Sequence, residues 1–370
     1  MNKSFSIYLD LVRFTAACLV YIWHSNNRLL TKAVPLASGY GHSAVVVFFV
    51  LSGFVIAYVT DTKEKNWISF AASRLSRVYS VAVPAVVLTV ILDALGRNLY
   101  PALYSYPFDH FIVRFTASLL MLNEVWLVSI MSFSNTPYWS IAFEAWYYVI
   151  FGVVMFATAR WRPLALIACA LLVGPKILLL LPIWWSGVWL YRWRWLQQIS
   201  TDFAWCLVVL SFVGIIGFHA LAVYEKPALL TESFLGTALY RDLTFAKQFV
   251  ADYLLAFLVC CNFAGMRAVG SSWDRLLLPV EKPVRWAASY TFTLYLLHQP
   301  LMFFWAAVVR GRPETFVYWT KVTILTAVSI VAVGYFTENR RHGFRRSIER
   351  WLCRLQDRVS NKTAVVEANS

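Results

Sequence analysis

Long apolar runs, each close to the length of a membrane-spanning helix, recur along the whole chain. An α-helix needs about 20 apolar residues to cross the roughly 30 Å hydrocarbon core of a bilayer. A window of that length predicts about ten such helices, at residues 7–26, 44–60, 77–96, 111–131, 138–157, 163–181, 203–223, 245–265, 286–308 and 316–337. The pattern therefore predicts an all-α polytopic integral membrane protein.

Two segments do not fit a simple series of spans. The stretch "PIWWSGVWLYRW" after Leu181 is apolar but short, so it suits a re-entrant or interfacial segment as well as an eleventh span. The N-terminus resembles a signal peptide because Lys3 precedes an apolar run, but Asp10 and Arg13 interrupt that run and no small-residue cleavage site follows. We expect a first span that is retained.

Composition supports one membrane domain and a basic tail. The chain is 60% hydrophobic and only 14% charged, which is far too apolar for a water-soluble domain. Residues 1–338 are predicted to form the transmembrane domain and residues 339–370 a cytoplasmic C-terminal tail. Much of the net charge of +14 lies in "NRRHGFRRSIERWLCRLQDRVSNK", which suits the anionic lipids of the cytoplasmic leaflet. We therefore expect membrane lipids as partners and no nucleic acid.

Charge also predicts the orientation. When the tail is included, basic residues are more numerous in the loops that share a side with the two termini, and the positive-inside rule places both termini in the cytoplasm. The six cysteines lie mostly within apolar runs and lack metal-ligand spacing, so they are interpreted as small core residues and no metal site is predicted.

Ionisable side chains inside a membrane cost several kcal/mol and are kept where they pair, line a cavity or take part in function. The candidates in the predicted spans are therefore Asp10, Arg13, His24, Arg114, Glu124, Glu144, His219, Asp252, His298 and Lys321.

Arg13 and His24 bracket the run "RFTAACLVYIWHS" in the first span. Eleven residues of α-helix turn about 20° past three full turns and rise about 16 Å, so both side chains lie on one face at different depths. The predicted orientation puts Arg13 near the cytoplasm and His24 toward the outer side. His24 suits a base, but a hydrogen bond to a backbone carbonyl explains it equally well, and Arg13 can pair with Asp10.

Arg74 and Arg77 lie three residues apart in "AASRLSRVYS", at the predicted cytoplasmic surface. Paired guanidinium groups suit phosphates, although positive-inside anchoring also accounts for them. Glu144 in "TPYWSIAFEAWYYVIF" is either functional or a structural partner of an arginine such as Arg13, and Glu124 in "LMLNEVWL" has the same two interpretations.

His298 lies in the predicted ninth span, in "SYTFTLYLLHQPLM". Pro300 breaks the helix behind it, as is common where a helix lines a cavity in a membrane protein. We interpret His298 as a residue that lines the site rather than as a catalytic one.

These stretches resemble membrane-bound acyltransferase family 3, whose members O-acylate glycans and other acceptors. The resemblance rests on "LDLVRFTAACLVYIWHS", "HSAVVVFFVLSGFVIAY", "SRLSRVYS", "YWSIAFEAWYY" and "SYTFTLYLLHQPL", in that order over residues 7 to about 310. It implies that His24 is the essential histidine, Arg13 its companion, and Arg74 and Arg77 the pair linked to acyl-CoA.

Two of these motifs depart from the pattern of many relatives. In W-S-L-S-x-E, the positions of Trp139, Ser140 and Glu144 match, whereas the intervening residues are Ile141 and Ala142. The aromatic H-x-P ending is present at His298, but Leu297 stands where relatives often have tryptophan. These differences concern the preference for the acceptor more than the core chemistry.

The resemblance implies transfer of an acyl group, acetyl by default, from cytoplasmic acyl-CoA to a hydroxyl of a carbohydrate acceptor, free or lipid-linked. His24 would act as the base, Glu144 would orient His24 or hold acceptor hydroxyls, and no cofactor would be tightly bound. The residues expected to bind the acceptor are Trp139, Ser140, His298 and Glu124. The expected location is the bacterial cytoplasmic (inner) membrane, and no oligomeric state is predicted.

Two other functions fit the same ionisable residues. In a proton-coupled transporter, His24, Glu144 and His298 would form a relay, although the chain lacks the pair of similar inverted halves that many transporters have. In an acyltransferase-like exporter or binding protein, the ligand would be held without chemistry.

Overall fold

The structure is a computed structural model that describes residues 1–28, 39–313, 315–338 and 340–368. Within these ranges the backbone forms helices joined by turns, with one isolated bridge between Ser132 and Asn135. The predicted all-α class is confirmed. The helices are α1 (Lys3–Arg28), α2 (Gly41–Lys63), α3 (Trp67–Leu99), α4 (Phe111–Leu119), α5 (Trp139–Phe156), α6 (Arg162–Val173), α7 (Pro175–Arg192), α8 (Thr201–Ala220), α9 (Glu225–Leu235), α10 (Thr237–Asp242), α11 (Phe249–Ala268), α12 (Asp274–Leu277), α13 (Glu281–Ser289), α14 (Thr291–Val309), α15 (Phe316–Thr337) and α16 (Arg341–Ala368).

Eight helices in the described ranges are long and apolar enough to cross a membrane, which confirms a polytopic membrane protein. They are α1, α2, α3, α5, α8, α11, α14 and α15. Each corresponds to one of the predicted apolar runs, because 18 or more consecutive apolar residues have few alternatives to a membrane-spanning helix.

The predicted continuous helix over 111–131 is wrong, because α4 ends at Leu119 and turns follow as far as the short 3₁₀ helix Thr136–Tyr138. Met121, Trp126 and Phe133 adopt φ of 56°, 53° and 56°, which an α-helix does not allow. Irregular backbone is tolerated at membrane depth where protein partners satisfy its polar groups. Such partners lie far away in sequence, including Val173, whose carbonyl accepts from Trp126 N at 2.8 Å.

The predicted span over 163–181 is divided at Gly174 into α6 and α7. Gly174 has φ of 74°, and a Cβ there would lie 2.6 Å from Trp126 Cα, so glycine is required at this turn. The stretch "PIWWSGVWLYRW" is not a separate re-entrant or interfacial segment. Apart from Trp193 it is the second half of α7, which continues through Pro182 to Arg192.

The two ends of the bundle are distinguished by their contacts. At the terminal end, defined by Lys3 and by the start of α16, Lys3 pairs with Glu281 at 2.7 Å and Ile68 packs against Leu352. The far end is the opposite end of the bundle and carries the turn at Gly174. The carbonyl of its neighbour Val173 accepts there from Trp126, in the segment that follows α4.

Helices α5 and α7 both finish at the terminal end. Arg192 at the end of α7 contacts Met155 near the end of α5, and Phe156 packs against Phe70 with ring centroids 5.4 Å apart. The ten predicted spans place Arg160 and Arg162, which follow the fifth span, on the side opposite the termini. In the structure they follow α5 and therefore lie at the terminal end, so that part of the prediction is wrong.

Helices α2 and α7 cross at two glycines. A Cβ on Gly53 would lie 1.9 Å from Trp184 O, and one on Gly187 would lie 2.0 Å from Val50 O. The backbones therefore approach as closely as small residues allow, as is typical of helix pairs in membranes. This crossing places Ser52 beside Trp184, whose indole N–H donates to the Ser52 hydroxyl at 3.1 Å.

The basic tail forms α16, which packs along the start of α3 through Ile348 and Leu352 against Ile68 and Ala72. The predicted division between residues 338 and 339 stays a prediction, although α16 begins just beyond it, at Arg341.

Candidate active site

A cavity of about 520 Å³ lies between α1, α2, α3, α5, α13, α14 and the start of α16. Its wall combines apolar side chains with an unusual number of charged and hydroxyl groups for a membrane domain. The charged residues on the wall are Asp10, Arg13, Arg77, Glu144, Arg285, Glu338 and Arg341, with His342 beside them.

The four arginines come from four different helices, α1, α3, α13 and α16. Asp10 accepts from Arg13 at 3.3 Å and from Arg285 at 2.9 Å, so one carboxylate offsets two of the cations. The charges of Arg77 and Arg341 lie close enough to repel each other. The wall as a whole carries four arginines and three carboxylates, and two neighbouring guanidinium groups favour an anionic ligand.

Glu338 lies near this second pair and interacts electrostatically with both Arg77 and Arg341. Its Oε1 accepts from the backbone N of Thr293 at 2.9 Å and from the Thr293 hydroxyl at 2.7 Å. Glu338 thus ties the end of α15 to the start of α14 at the edge of the cavity.

Glu144 lies on the wall in a hydrogen-bonded group that joins α2, α5 and α7. It accepts from the Ser52 hydroxyl at 2.5 Å and from the Tyr148 hydroxyl. Ser52 in turn accepts from Trp184. The carboxylate is thereby oriented by Tyr148 on its own helix and by Ser52 on the glycine-packed α2–α7 pair. It also lies within electrostatic range of Arg13 and Arg77.

Two hydroxyl groups close the inner end of the cavity, which here means the end buried within the bundle. Ser140 Oγ lies 2.7 Å from Tyr295 OH, and both residues line the wall. The Phe48 ring packs edge-on against Tyr295 with centroids 5.4 Å apart. Tyr295 is followed three residues later by His298, a rise of about 4.5 Å along α14.

His24 and His298 form a buried pair just beyond that closed end. His298 Nε2 lies 3.1 Å from His24 Nδ1, and the ring centroids are 5.0 Å apart. His24 Nδ1 also lies 3.0 Å from Val20 O. Both side chains are almost fully buried, at 4% and 0% exposure.

Pro300 explains part of the site's construction. Proline has no N–H, so the carbonyl four residues earlier in α14 loses its helical partner. That carbonyl belongs to Leu296, and it accepts instead from Asn135 Nδ2 at 2.7 Å. Gln299 Nε2 donates to Ser134 O at 2.7 Å, while Asp93 accepts from the Ser134 backbone N at 2.9 Å. The irregular segment after α4 is therefore attached to α14 directly beside His298.

The structure brings together some predicted site residues and not others. Arg13, Arg77, Ser140 and Glu144 lie on the cavity wall, and His24 and His298 meet beyond its inner end. Three further residues lie elsewhere: Arg74, Glu124 and Trp139 are absent from the wall.

Arg74 and Glu124 each belong to a buried ion pair. Arg74 pairs with Glu64, with side chains 7% and 1% exposed, and its guanidinium lies 5.1 Å from the Phe70 ring centroid. Glu124 pairs with Lys176 at 2.6 Å and accepts from Ser129. Trp139 stacks on Phe245 with centroids 4.4 Å apart. The proposed substrate-binding roles of these residues stay predictions.

Sequence reasoning missed several wall residues. Arg285 and Arg341 lie outside the predicted spans, yet both line the cavity. Tyr295 and Tyr148 stand inside quoted motifs, but nothing in their spacing indicated hydrogen bonds to Ser140 and Glu144. In the described part of the chain, no group of three or more His, Cys, Asp or Glu side chains is arranged to hold a metal ion.

Comparison with known proteins decides the family. A family model described as an acyltransferase domain matches residues 6–338, nearly the whole membrane-spanning part. The chain belongs to acyltransferase family 3. The predicted membership is confirmed, and the matched range runs from the first turn of α1 to the end of α15 and includes both His24 and His298.

Two curated relatives show partial similarity to this family 3 member. An "O-acetyl transferase" of Shigella phage Sf6 is 30% identical over 154 residues, which is 40% of this chain and 45% of the relative. An "Exopolysaccharide production protein ExoZ" of Rhizobium meliloti (strain 1021) is 28% identical over 124 residues, 33% of this chain and 37% of the relative. The matched part thus spans less than half of either relative. No solved structure matches the chain.

Proposed function

We propose that this protein is a membrane-embedded O-acyltransferase that moves an acyl group, acetyl in the simplest case, from cytoplasmic acyl-CoA to a hydroxyl of a surface or secreted glycan. The observation that carries the proposal is the cavity itself, which has arginines around it and ends one helical turn from a buried histidine pair. The names of the two relatives, an O-acetyl transferase and an exopolysaccharide production protein, support acetyl as the group and a glycan as the acceptor.

The cavity suits a thioester donor with a charged end and a slender arm. Arg77 and Arg341 would bind CoA phosphates, with Arg285 and Arg13 nearby. The pantetheine arm would extend between the apolar side chains toward Ser140 and Tyr295, where the thioester would approach the histidine pair. A volume of about 520 Å³ lies within the range of pockets that hold small ligands.

Orientation follows from the same residues. The terminal end carries the N-terminus, α16 and the loops with Arg160, Arg162, Arg192 and Arg194, whose charge favours the cytoplasm. We therefore propose that both termini face the cytoplasm of a bacterial inner membrane. The donor would enter from that side, while His24, near the far end of α1, would meet the acceptor.

In the proposed reaction, His24 takes the proton from an acceptor hydroxyl as its oxygen attacks the thioester carbonyl carbon. The carbon–sulfur bond then breaks, the acyl group remains on the acceptor oxygen, and the proton passes from His24 to the CoA thiolate. A route through an acyl-histidine uses the same residue as nucleophile. Rapid mixing in the absence of acceptor separates the two, since only the covalent route releases one CoA per enzyme in a burst.

Substitution of His24 tests the proposal. Purified wild-type protein should transfer label from acetyl-CoA to a glycan extract of the host, and His24→Ala should lose at least about 100-fold of that rate, as expected for removal of a general base. His219→Ala is the matched control, because His219 lies on α8, outside the cavity wall, and should leave the rate unchanged.

The same variants separate acyl transfer from its rivals. A proton-coupled transporter would show no acetyl transfer in wild-type protein, and a binding protein would support glycan modification in the host equally well with His24→Ala. Either result would refute the proposed enzyme.

A further inference from the structure

His298 is buried against His24 and also contacts two backbone carbonyls. These three contacts together define which nitrogens of the two histidine rings carry protons. We propose that His298 is a positioning residue that holds His24 in the tautomer protonated on Nδ1, so that the lone pair lies on Nε2. The inference rests on the proposed function for its catalytic meaning, although the tautomer can be measured without any turnover.

The first step concerns His298 itself. Its Nδ1 lies 3.0 Å from Leu294 O and 2.9 Å from Tyr295 O. Carbonyl oxygens only accept hydrogen bonds, so Nδ1 must carry the proton. A neutral imidazole has one N–H, and His298 Nε2 is therefore an acceptor.

The second step transfers this assignment to His24. His24 Nδ1 faces His298 Nε2 at 3.1 Å and Val20 O at 3.0 Å. Both neighbours are acceptors, so His24 Nδ1 carries the proton. The lone pair of neutral His24 is then on Nε2, at the side of the ring remote from His298.

The surroundings hold His298 in this orientation. The Tyr21 ring packs edge-on against it with centroids 6.1 Å apart, and Tyr295 does so at 6.3 Å. On either side of His298 along α14, the Leu296 carbonyl accepts from Asn135 and Gln299 donates to Ser134 O, which attaches the helix to the segment after α4. A rotation of the His298 ring would exchange its two nitrogens and give up both carbonyl contacts.

The pair also favours the charged intermediate of the reaction. When Nε2 of His24 takes the hydroxyl proton, the ring becomes an imidazolium and its Nδ1–H bond to His298 becomes charge-assisted, which strengthens it. When the proton leaves for the CoA thiolate, the neutral pair is restored. His298 neither gains nor loses a proton and contacts neither donor nor acceptor in this scheme.

Two variants separate the acceptor role of His298 from its volume. His298→Gln places an amide oxygen near the position of Nε2 and keeps an acceptor for His24, whereas His298→Leu fills similar space without one. We expect His298→Leu to lower kcat by about 100-fold or more with little change in the KM for acetyl-CoA, as for loss of tautomer control of a histidine base. His298→Gln should retain a larger part of kcat.

Two further measurements exclude a merely structural effect. The pH profile of kcat should shift in His298→Leu but not in the control His219→Leu, since only the first removes a side chain that contacts His24. In ¹⁵N NMR spectra of histidine-labelled protein, His24 of the wild type should show a protonated Nδ1 and an unprotonated Nε2. His298→Leu should show a larger share of the tautomer protonated on Nε2, because one of the two acceptors that hold the proton on Nδ1 is lost while Val20 O remains. Folding is compared by yield and unfolding temperature.

The outcomes distinguish this inference from the proposed function. An unprotonated Nδ1 on wild-type His24, or equal kcat in wild type and a folded His298→Leu, would overturn the role of His298 and leave acyl transfer intact. Full activity of His24→Ala would instead refute the proposed function, whatever the NMR result.

Discussion

Single replacements of Arg74 and Arg77 should separate a structural arginine from one that binds the donor. The two residues lie three apart in α3, but Arg74 pairs with Glu64 beside α16 whereas Arg77 lines the cavity. Arg74→Met would leave the Glu64 carboxylate buried without a cation. Arg77→Gln would remove a cation from the cavity wall, where Arg77 interacts electrostatically with Glu144 and Glu338.

The expected sizes follow from these environments. Removing one partner of a buried ion pair costs about 3–5 kcal/mol, so Arg74→Met should lower the unfolding temperature and the yield of folded protein. A hydrogen bond to a charged group contributes about 1.5–3 kcal/mol. At about 1.4 kcal/mol per tenfold, Arg77→Gln should raise the KM for acetyl-CoA by about 10- to 150-fold.

The assay compares two donors. Acetyl-CoA carries the phosphates that Arg77 would bind, and acetyl-pantetheine lacks them. Arg77→Gln should lose the preference for acetyl-CoA while its KM for acetyl-pantetheine stays near that of wild type. Arg74→Met should keep the preference in whatever protein folds, and the added change Glu64→Gln should restore its unfolding temperature because no unpaired carboxylate then remains.

Two results would refute this reasoning. If the ratio of the KM for acetyl-pantetheine to the KM for acetyl-CoA is the same in Arg77→Gln as in wild type, the cavity arginine does not hold phosphates. A normal unfolding temperature together with a lost donor preference in Arg74→Met would show that Arg74, despite its bond to Glu64, is the ligand-binding residue.

Two further predictions concern the framework around the site. Gly53→Ala should prevent normal packing of α2 on α7, because its Cβ would lie 1.9 Å from Trp184 O, whereas Gly217→Ala, with nothing within 4 Å, should be tolerated; equal yields of folded protein would contradict the close crossing. Lys176→Met should destabilise the protein by about 3–5 kcal/mol by leaving Glu124 buried and unpaired, and Lys176→Met with Glu124→Gln should be less affected. Thermal unfolding in detergent measures both, and a more stable single variant than double variant would contradict the assigned ion pair.

The apolar runs predicted the eight long helices because a membrane span is a local property of sequence. They failed over 111–131, where the composition suits a span but the backbone turns after Leu119. The partners that stabilise those turns, such as Val173 and Asp93, come from other helices. Local hydropathy contains no information about such partners.

The site shows the same division. The helical period correctly indicated that Arg13 and His24 share α1 at different depths, and the motif order indicated that His298 belongs to the same region. Contact between His24 and His298 joins residues 274 positions apart, which no spacing rule gives. The difference between Arg74 and Arg77 depends on Glu64, and the cavity role of Arg341 depends on where α16 packs.

Transfer by protein reconstituted in vesicles tests the central claim most directly. Vesicles are prepared with the C-terminal tail facing one known side, labelled acetyl-CoA is supplied on that side only, and glycan acceptor is present on the other. The account predicts labelled acceptor with wild-type protein, and none with His24→Ala or with acetyl-CoA supplied only on the side opposite the tail. Transfer by His24→Ala at the wild-type rate would contradict it.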